Sequence, residues 1–248
     1  MRDCYFRHTP SEILDSPRNS DPLLKRLFDI FLSAIGLAVS SPLWGLIALA
    51  VKLEDGGPVY YGQRRVGKDC REFLSLKFRS MIPDSDEKWG AIPAAEKDPR
   101  ITRVGRILRA TAMDELPQLW SIFRGDMSFV GPRPEWVELV KGFRKEVPSF
   151  DRRHAVRPGL TGLAQVYGHS ELPRRQKLRY DLFYINKRTF WLDLRLIFAS
   201  FLVTFLGEWE RRSTKLPLLL RRRWARWIRS APSRKRMRPA ALSPADHD

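Results

Sequence analysis

The sequence predicts a mostly α fold with a small β-hairpin, in which one long apolar helical segment and several amphipathic helices surround a compact domain. Three observations carry this reading. Residues 27–51 are twenty-five in a row whose only charge is Asp29. Beyond Arg100, apolar residues recur at helical spacing in stretch after stretch. Residues 59–64 and 72–79 alone combine aromatic and alternating residues, around a Gly67-Lys68-Asp69 turn, as a hairpin does. At 248 residues the chain is long enough for one domain with a real core and appendages.

In chain order, residues 1–22 carry scattered charges and three prolines without an apolar run, and read as a disordered lead, not a signal peptide. Residues 23–53 follow, introduced by Lys25-Arg26 and closed by Lys52. The run is long enough to cross a bilayer, but Ser40-Ser41-Pro42 lies in its middle, where proline removes a backbone donor and predicts a kink. Each half is then too short to span, and basic residues flank both ends. From the residues alone, a kinked spanning helix and a re-entrant hairpin both stay open.

The compact domain is read as residues 54–210. Residues 83–99 are charged, proline-punctuated and aperiodic, and read as a mobile loop. From Arg100 a helix carries Ile101, Val104, Ile107 and Leu108 on one face and Arg100, Arg103, Arg106 and Arg109 on another. That stripe suits either solvent or a phosphate. Residues 135–147 read as an amphipathic helix, 159–168 as a loop, 173–188 as a cationic helix, and 190–206 as an apolar helix for the core or for a membrane interface. His154 lacks a second ligand at a recognisable spacing and reads as a surface or hydrogen-bonding residue. Cys4 and Cys70 are expected as reduced thiols, with neither a disulfide nor a zinc site.

The net charge is +17, yet twelve Lys/Arg and no Asp/Glu fall within residues 211–238, leaving +5 for the rest. The basic character therefore belongs to a tail, residues 211–248, whose interleaved tryptophans and arginines fit an anionic bilayer surface.

The chemistry-bearing residues cluster in 112–135. Asp114 is placed as an N-cap, since Leu116, Leu119, Trp120 and Phe123 follow at helical spacing, Pro117 falls in the first turn and Gly125 suits the stop. A carboxylate facing free backbone N–H groups is favoured in its ionised form, which suits a nucleophile or a metal ligand; the plain alternative is a cap beside a first-turn Glu115. Arg109 offers paired donors to phosphoryl oxygens. In Gly131-Pro132-Arg133-Pro134, two prolines fix φ on either side of an arginine and so pre-aim its head.

These residues occur within six blocks that stand in one order: Lys25-Arg26-Leu27-Phe28-Asp29, Ser41-Pro42, Phe78-Arg79-Ser80-Met81, Arg109 with Asp114-Glu115-Leu116-Pro117-Gln118, residues 125–134, and residues 157–162. In them the chain resembles the monotopic phosphoglycosyl transferases, the bacterial sugar transferase family that moves a phosphosugar from a nucleotide sugar to polyprenyl phosphate. The resemblance implies Asp114 as the nucleophile on the sugar-bearing phosphate and as a Mg2+ ligand, and Glu115 as its assistant. It also implies a substrate-binding set of Arg79, Arg109, Pro132, Arg133, Pro134 and Arg157. It selects the re-entrant membrane helical hairpin, kinked at Ser41 and Pro42, with interfacial amphipathic helices around a compact cytoplasmic catalytic domain at the bacterial inner membrane. The implied partners are a UDP-sugar donor such as UDP-glucose or UDP-galactose, the polyprenyl phosphate acceptor and the bilayer. No nucleic acid is expected, and self-association stays open. A non-enzymatic membrane adaptor with a lipid- or nucleic-acid-binding tail accounts for the tail and the apolar segment, but not for a carboxylate pair among such arginines.

Overall fold

The computed structural model describes residues 22–85, 89–90, 98–168 and 172–206. The lead before Pro22, most of the 83–99 loop and the basic tail lie outside the described residues. In order come helix α1 (Leu23–Asp55), strands β1 (Tyr60–Val66) and β2 (Glu72–Phe78), helices α2 (Arg103–Ala110) and α3 (Gln118–Arg124), strand β3 (Ser128–Val130), helix α4 (Val137–Glu146), strand β4 (Gly159–Thr161), and helices α5 (Leu163–Tyr167), α6 (Arg174–Lys187) and α7 (Phe190–Leu206). The mostly helical expectation and the hairpin are met. β1 and β2 pair antiparallel from Tyr60 opposite Phe78 to Val66 opposite Glu72, around a tight turn at Lys68–Cys70.

α1 is one continuous helix of 33 residues that carries Pro42, the residue at which a kink was expected. The reason is local. Proline leaves the carbonyl of Ala38 without its backbone donor, and the Ser41 hydroxyl donates to that oxygen at 2.8 Å. Ser40 does the same for Gly36 at 2.6 Å, and the Trp44 indole donates to the Ser40 hydroxyl. α1 is long and apolar enough to cross a membrane.

Both ends of α1 nevertheless bond to the same folded body. At its start, Lys25 Nζ donates to the Val130 carbonyl (3.0 Å) and to Asp193 of α7 (2.7 Å), while Asp29 accepts from the Phe129 amide at 3.1 Å. At its finish, Glu54 accepts from the amides of Arg103 (2.6 Å) and Val104 (3.1 Å), and Thr102 Oγ1 accepts from Gly105. Three otherwise orphaned donors of α2 are thereby satisfied. Along the opposite side of α1, Leu27, Phe31, Ile35, Val39, Leu46, Leu49 and Leu53 stay exposed.

Among the described residues, apolar clusters build the core. Ile47 and Val51 of α1 meet Phe78 and Leu108; Leu119 and Ile122 meet Met127; Val66, Val140, Val147, Phe150 and Leu178 close the far side. α7 buries Leu192, Asp193 and Leu196 and exposes Trp191, Phe198 and Phe201, so it is core on one face only.

The expected 159–168 loop is instead β4 followed by α5. β4 pairs with β3 in parallel, Ser128 opposite Gly159 and Val130 opposite Thr161. Glycines permit this contact: a Cβ on Gly159 would lie 2.1 Å from the Gly131 nitrogen, and one on Gly162 would lie 2.2 Å from the Gly131 oxygen. The expected Arg100 stripe also changes. Arg100 precedes α2 and folds onto Asp98 with Nη2 2.7 Å from Oδ2, leaving Arg103, Arg106 and Arg109 on the helix.

Candidate active site

The chain leaves α2 at Thr111 and reverses at Ala112, a non-glycine residue in the left-handed region at φ 54°. One tight turn, Met113–Glu115, follows, and Leu116 and Pro117 lead into α3. Asp114 is therefore inside that turn and is not an N-cap. Ala112 precedes the turn, Pro117 precedes α3, and neither helix start has a side-chain cap. Free helical N–H groups thus do not set the state of Asp114.

Lys77 takes that part. It stands near the end of β2, and its Nζ lies 2.5 Å from Glu115 Oε1 and 3.9 Å from Asp114 Oδ2. Arg133 Nη2 reaches the same Glu115 oxygen at 3.1 Å. Burial opposes ionisation of Glu115, but Lys77 and Arg133 outweigh it and hold the carboxyl well below the usual carboxylate range. Asp114 is also buried, and burial pushes its carboxyl above its ordinary range against the pull of Lys77 and, more weakly, Arg109. The two neighbours differ in engagement. Glu115 is tied down by two cations, whereas Asp114 forms no hydrogen bond among the described residues. Its oxygens keep the acceptor capacity with which a Mg2+ would be held, because such ions bind one or two carboxylates together with phosphate and water.

The turn that carries Arg133 is fixed carbonyl by carbonyl. The Pro132 oxygen accepts from Gly159 N at 2.9 Å, the Arg133 oxygen from Arg153 Nη2 at 2.9 Å, the Pro134 oxygen from Arg65 Nη1 at 2.7 Å, and the Glu135 oxygen from Val66 N at 3.0 Å. Arg65 is buried beside Arg133, and burial together with that neighbouring charge pushes its pKa down to about 10. Lys77 and Arg65 are absent from the sequence-derived set. A lone lysine within Phe73-Leu74-Ser75-Leu76-Lys77-Phe78 is the signal that points to the first.

The remaining expected residues separate. Arg109 is exposed on the last turn of α2, near enough for its charge to favour the ionised form of Asp114. Arg79 is buried and spends its guanidinium elsewhere: it donates to the Pro58 carbonyl at 2.5 Å, to the Met81 carbonyl at 3.1 Å and to both oxygens of Asp55. It anchors the end of α1 and is not presented to a phosphate. Arg157 Nε donates to the Gly125 carbonyl at 2.7 Å, which holds the left-handed stop of α3 (φ 99°).

A second group, Cys70, Asp151 and His154, lies within ligand distance of itself. His154 is the hydrogen-bonding residue of the two expected alternatives, buried, with Nδ1 3.5 Å from both Asp151 Oδ1 and Cys70 Sγ and with burial lowering its pKa. Cys4, the other cysteine, lies outside the described residues.

The sequence pattern of the family described as bacterial sugar transferase matches residues 20–207. The chain is 42% identical over 187 residues to a UDP-N-acetylgalactosamine-undecaprenyl-phosphate N-acetylgalactosaminephosphotransferase of Aeromonas hydrophila, covering 74% of this chain and 44% of that protein. It is 42% identical over 188 residues to the exopolysaccharide production protein PSS of Rhizobium leguminosarum bv. phaseoli, covering 73% and 94%. It is 40% identical over 203 residues to a UDP-glucose:undecaprenyl-phosphate glucose-1-phosphate transferase of Klebsiella pneumoniae, covering 79% and 43%. The chain thus spans less than half of two of these relatives and nearly all of the third.

Proposed function

Because the chain belongs to the bacterial sugar transferase family, we propose that it transfers a phosphosugar from a UDP-sugar to polyprenyl phosphate, releasing UMP, as the first committed step of a surface glycan such as an exopolysaccharide. The observation that carries this reading is the pairing of an unbonded, buried Asp114 with a Glu115 locked by Lys77 and Arg133.

In this reading an oxygen of Asp114 attacks the sugar-bearing phosphorus. A P–O bond forms to Asp114 while the bond to the UMP oxygen breaks, leaving an aspartyl phosphosugar. A phosphate oxygen of the acceptor then attacks the same phosphorus and returns Asp114 as a carboxylate. Lys77 keeps Asp114 ionised in a buried place and offsets charge on the incoming diphosphate. Arg133, pre-aimed by its pinned turn, and the exposed Arg109 meet the donor's anionic groups. Asp114 would hold a Mg2+, which would add charge neutralisation at the diphosphate. Glu115 serves by holding Lys77 and Arg133 in place and accepts a proton only when one of them yields.

We read α1 as entering and leaving the bilayer on one side. Lys25 and Asp29 at one end, and Glu54 and Asp55 at the other, bond to one folded body, and a crossing would have to break one set. The exposed apolar faces of α1 and α7 face lipid, with the domain on the cytoplasmic side. The relatives' names differ in their sugar, so the donor is found by assaying a panel of UDP-sugars. The test is intact-protein mass spectrometry after exposure to donor and Mg2+ without acceptor. A sugar-phosphate increment on the peptide bearing Asp114, with stoichiometric UMP, is expected; no increment, or an active Asp114→Asn protein, overturns the scheme.

A further inference from the structure

Arg64 and Arg65 are adjacent in sequence and go to opposite faces of the hairpin. Strand alternation sends Arg64 outward, where its side chain is 75% exposed and lies 3.6 Å from Glu72. Arg65 turns inward and is buried. On that inner face it shares β1 with Tyr61 and Gln63, and across the hairpin Tyr61 stands opposite Lys77. One face of the hairpin therefore carries both Lys77, which holds the dyad, and Arg65, which holds the turn of Arg133.

The guanidinium of Arg65 is gripped at both ends. Nη1 donates to the Pro134 carbonyl at 2.7 Å, Nη2 donates to Gln63 Oε1 at 2.9 Å, and Gln63 Nε2 donates in turn to the Tyr61 hydroxyl at 3.0 Å. Both acceptors of Arg65 are uncharged. Its Nε is buried without a hydrogen-bond partner, and it forms no ion pair among the described residues, whereas Lys77 and Arg133 share Glu115. Arg65 nevertheless stands near enough to Arg133 for that charge to disfavour its own. Burying a charge without a counterion is costly, and an arginine does not escape the cost by losing its proton at neutral pH. An anion seated at the open side of Arg133 offsets both charges at once.

We propose that Arg65 is a positioning residue for the donor's diphosphate: it fixes the Pro134 carbonyl, and so the aim of Arg133, and keeps a buried, unneutralised positive charge beside it. The inference rests on the transferase reading given above. Arg65 touches no substrate in this scheme; Arg133 makes the contact, and Arg65 makes that contact selective for negative charge. The strand that carries Arg65 also registers the exit of the turn, since Arg65 bridges Trp136 and the Val66 amide donates to the Glu135 carbonyl at 3.0 Å. Aim and charge thus come from one short stretch of β1.

The test compares Arg65→Met, Arg65→Lys and, as a control for net charge, Arg64→Met in the full chain, with UDP binding read by calorimetry. Expected are a dissociation constant raised roughly tenfold or more in Arg65→Met, because charges a few ångströms apart inside a protein interact on that scale, with no change in Arg64→Met. Arg65→Lys should recover part of the loss, since it restores the charge but not the two-ended grip. Combined with Arg133→Met, Arg65→Met should add less than its own loss, because it acts through that arginine. Equal losses in Arg65→Met and Arg64→Met, no recovery in Arg65→Lys, or full additivity with Arg133→Met overturns the inference, as does an unmodified protein that binds no UDP. Should Arg65→Met fail to fold, Gln63→Leu frees one end of the same guanidinium at a half-buried position. It should weaken UDP roughly threefold, the scale of one hydrogen bond, and an unchanged constant again overturns the inference. If UDP binding follows the expected order but a UDP-sugar gives no burst of UMP, the transferase reading fails while the role of Arg65 toward a diphosphate stands.

Discussion

Two carboxylate and cation clusters lie on either side of the Arg133 turn, made from the same residue types and put to different uses. On one side Arg153 donates to Asp181 at 2.8 and 2.9 Å, lies 3.5 Å from Glu135, and shares Glu135 with Lys177. The side chains of Arg153 and Asp181 are 0% and 2% exposed, so both carboxylates there are spent on fixed partners. On the other side Lys77 and Arg133 converge on one oxygen of Glu115, Asp114 is left without a hydrogen bond, and Arg133 keeps 38% of its side chain exposed. Composition does not separate the two clusters; one buried carboxylate left without a hydrogen bond, next to an arginine with an open side, does.

That contrast can be broken by substitution. The largest effect is expected for Asp114→Asn, which should lower turnover by about 10³-fold or more while the thermal midpoint stays put; loss of the midpoint instead would make Asp114 a scaffold residue. Arg153→Leu should do the reverse. Removing one partner of a buried pair costs about 3–5 kcal/mol, read as a lowered denaturant midpoint, with the UMP burst per folded molecule retained. Lys77→Met falls between them. The acid limb of kcat/KM should lie above the ordinary carboxylate range, because Asp114 must lose its proton to react and burial raises its pKa. Lys77 pulls that pKa down, so its removal should move the limb to higher pH; a limb that stays in place would mean that Lys77 does not act on Asp114. The smallest effect is expected at Ser41→Ala, about 1 kcal/mol, since it removes one hydroxyl donor from the Ala38 carbonyl.

Much of this was legible in the chain. The cationic and apolar stretches located α6 and α7 within a residue, the alternation around Gly67 located the hairpin, and Asp114 and Glu115 fall in one cluster with Lys77 and Arg133. What escaped depends on contacts distant in sequence. Lys77 reaches Glu115 across 38 positions where β2 packs against the Met113–Glu115 turn, and Arg65 meets Pro134 across 69 positions. The parallel β3–β4 pair is too short to show a period and is held by glycine contacts visible only when both segments are in place. Arg79 and Arg157 look like anion ligands in a sequence because nothing there reveals that backbone carbonyls take their donors. Asp114 has every local mark of a cap, and one left-handed alanine removes it from that role.

The bond between Lys25 and Asp193 joins the start of the first helix to the first turn of the last one. It therefore sets a clock on biosynthesis. The partners are 168 positions apart, so at roughly 5–20 residues per second Asp193 is made on the order of ten to thirty seconds after Lys25. For that interval α1 is made without its seat, its lysine without Asp193 and its apolar face uncovered. Ribosome-bound chains ended before Asp193 should accordingly float with membranes while α1 is still open to protease, and chains extended past α7 should protect it.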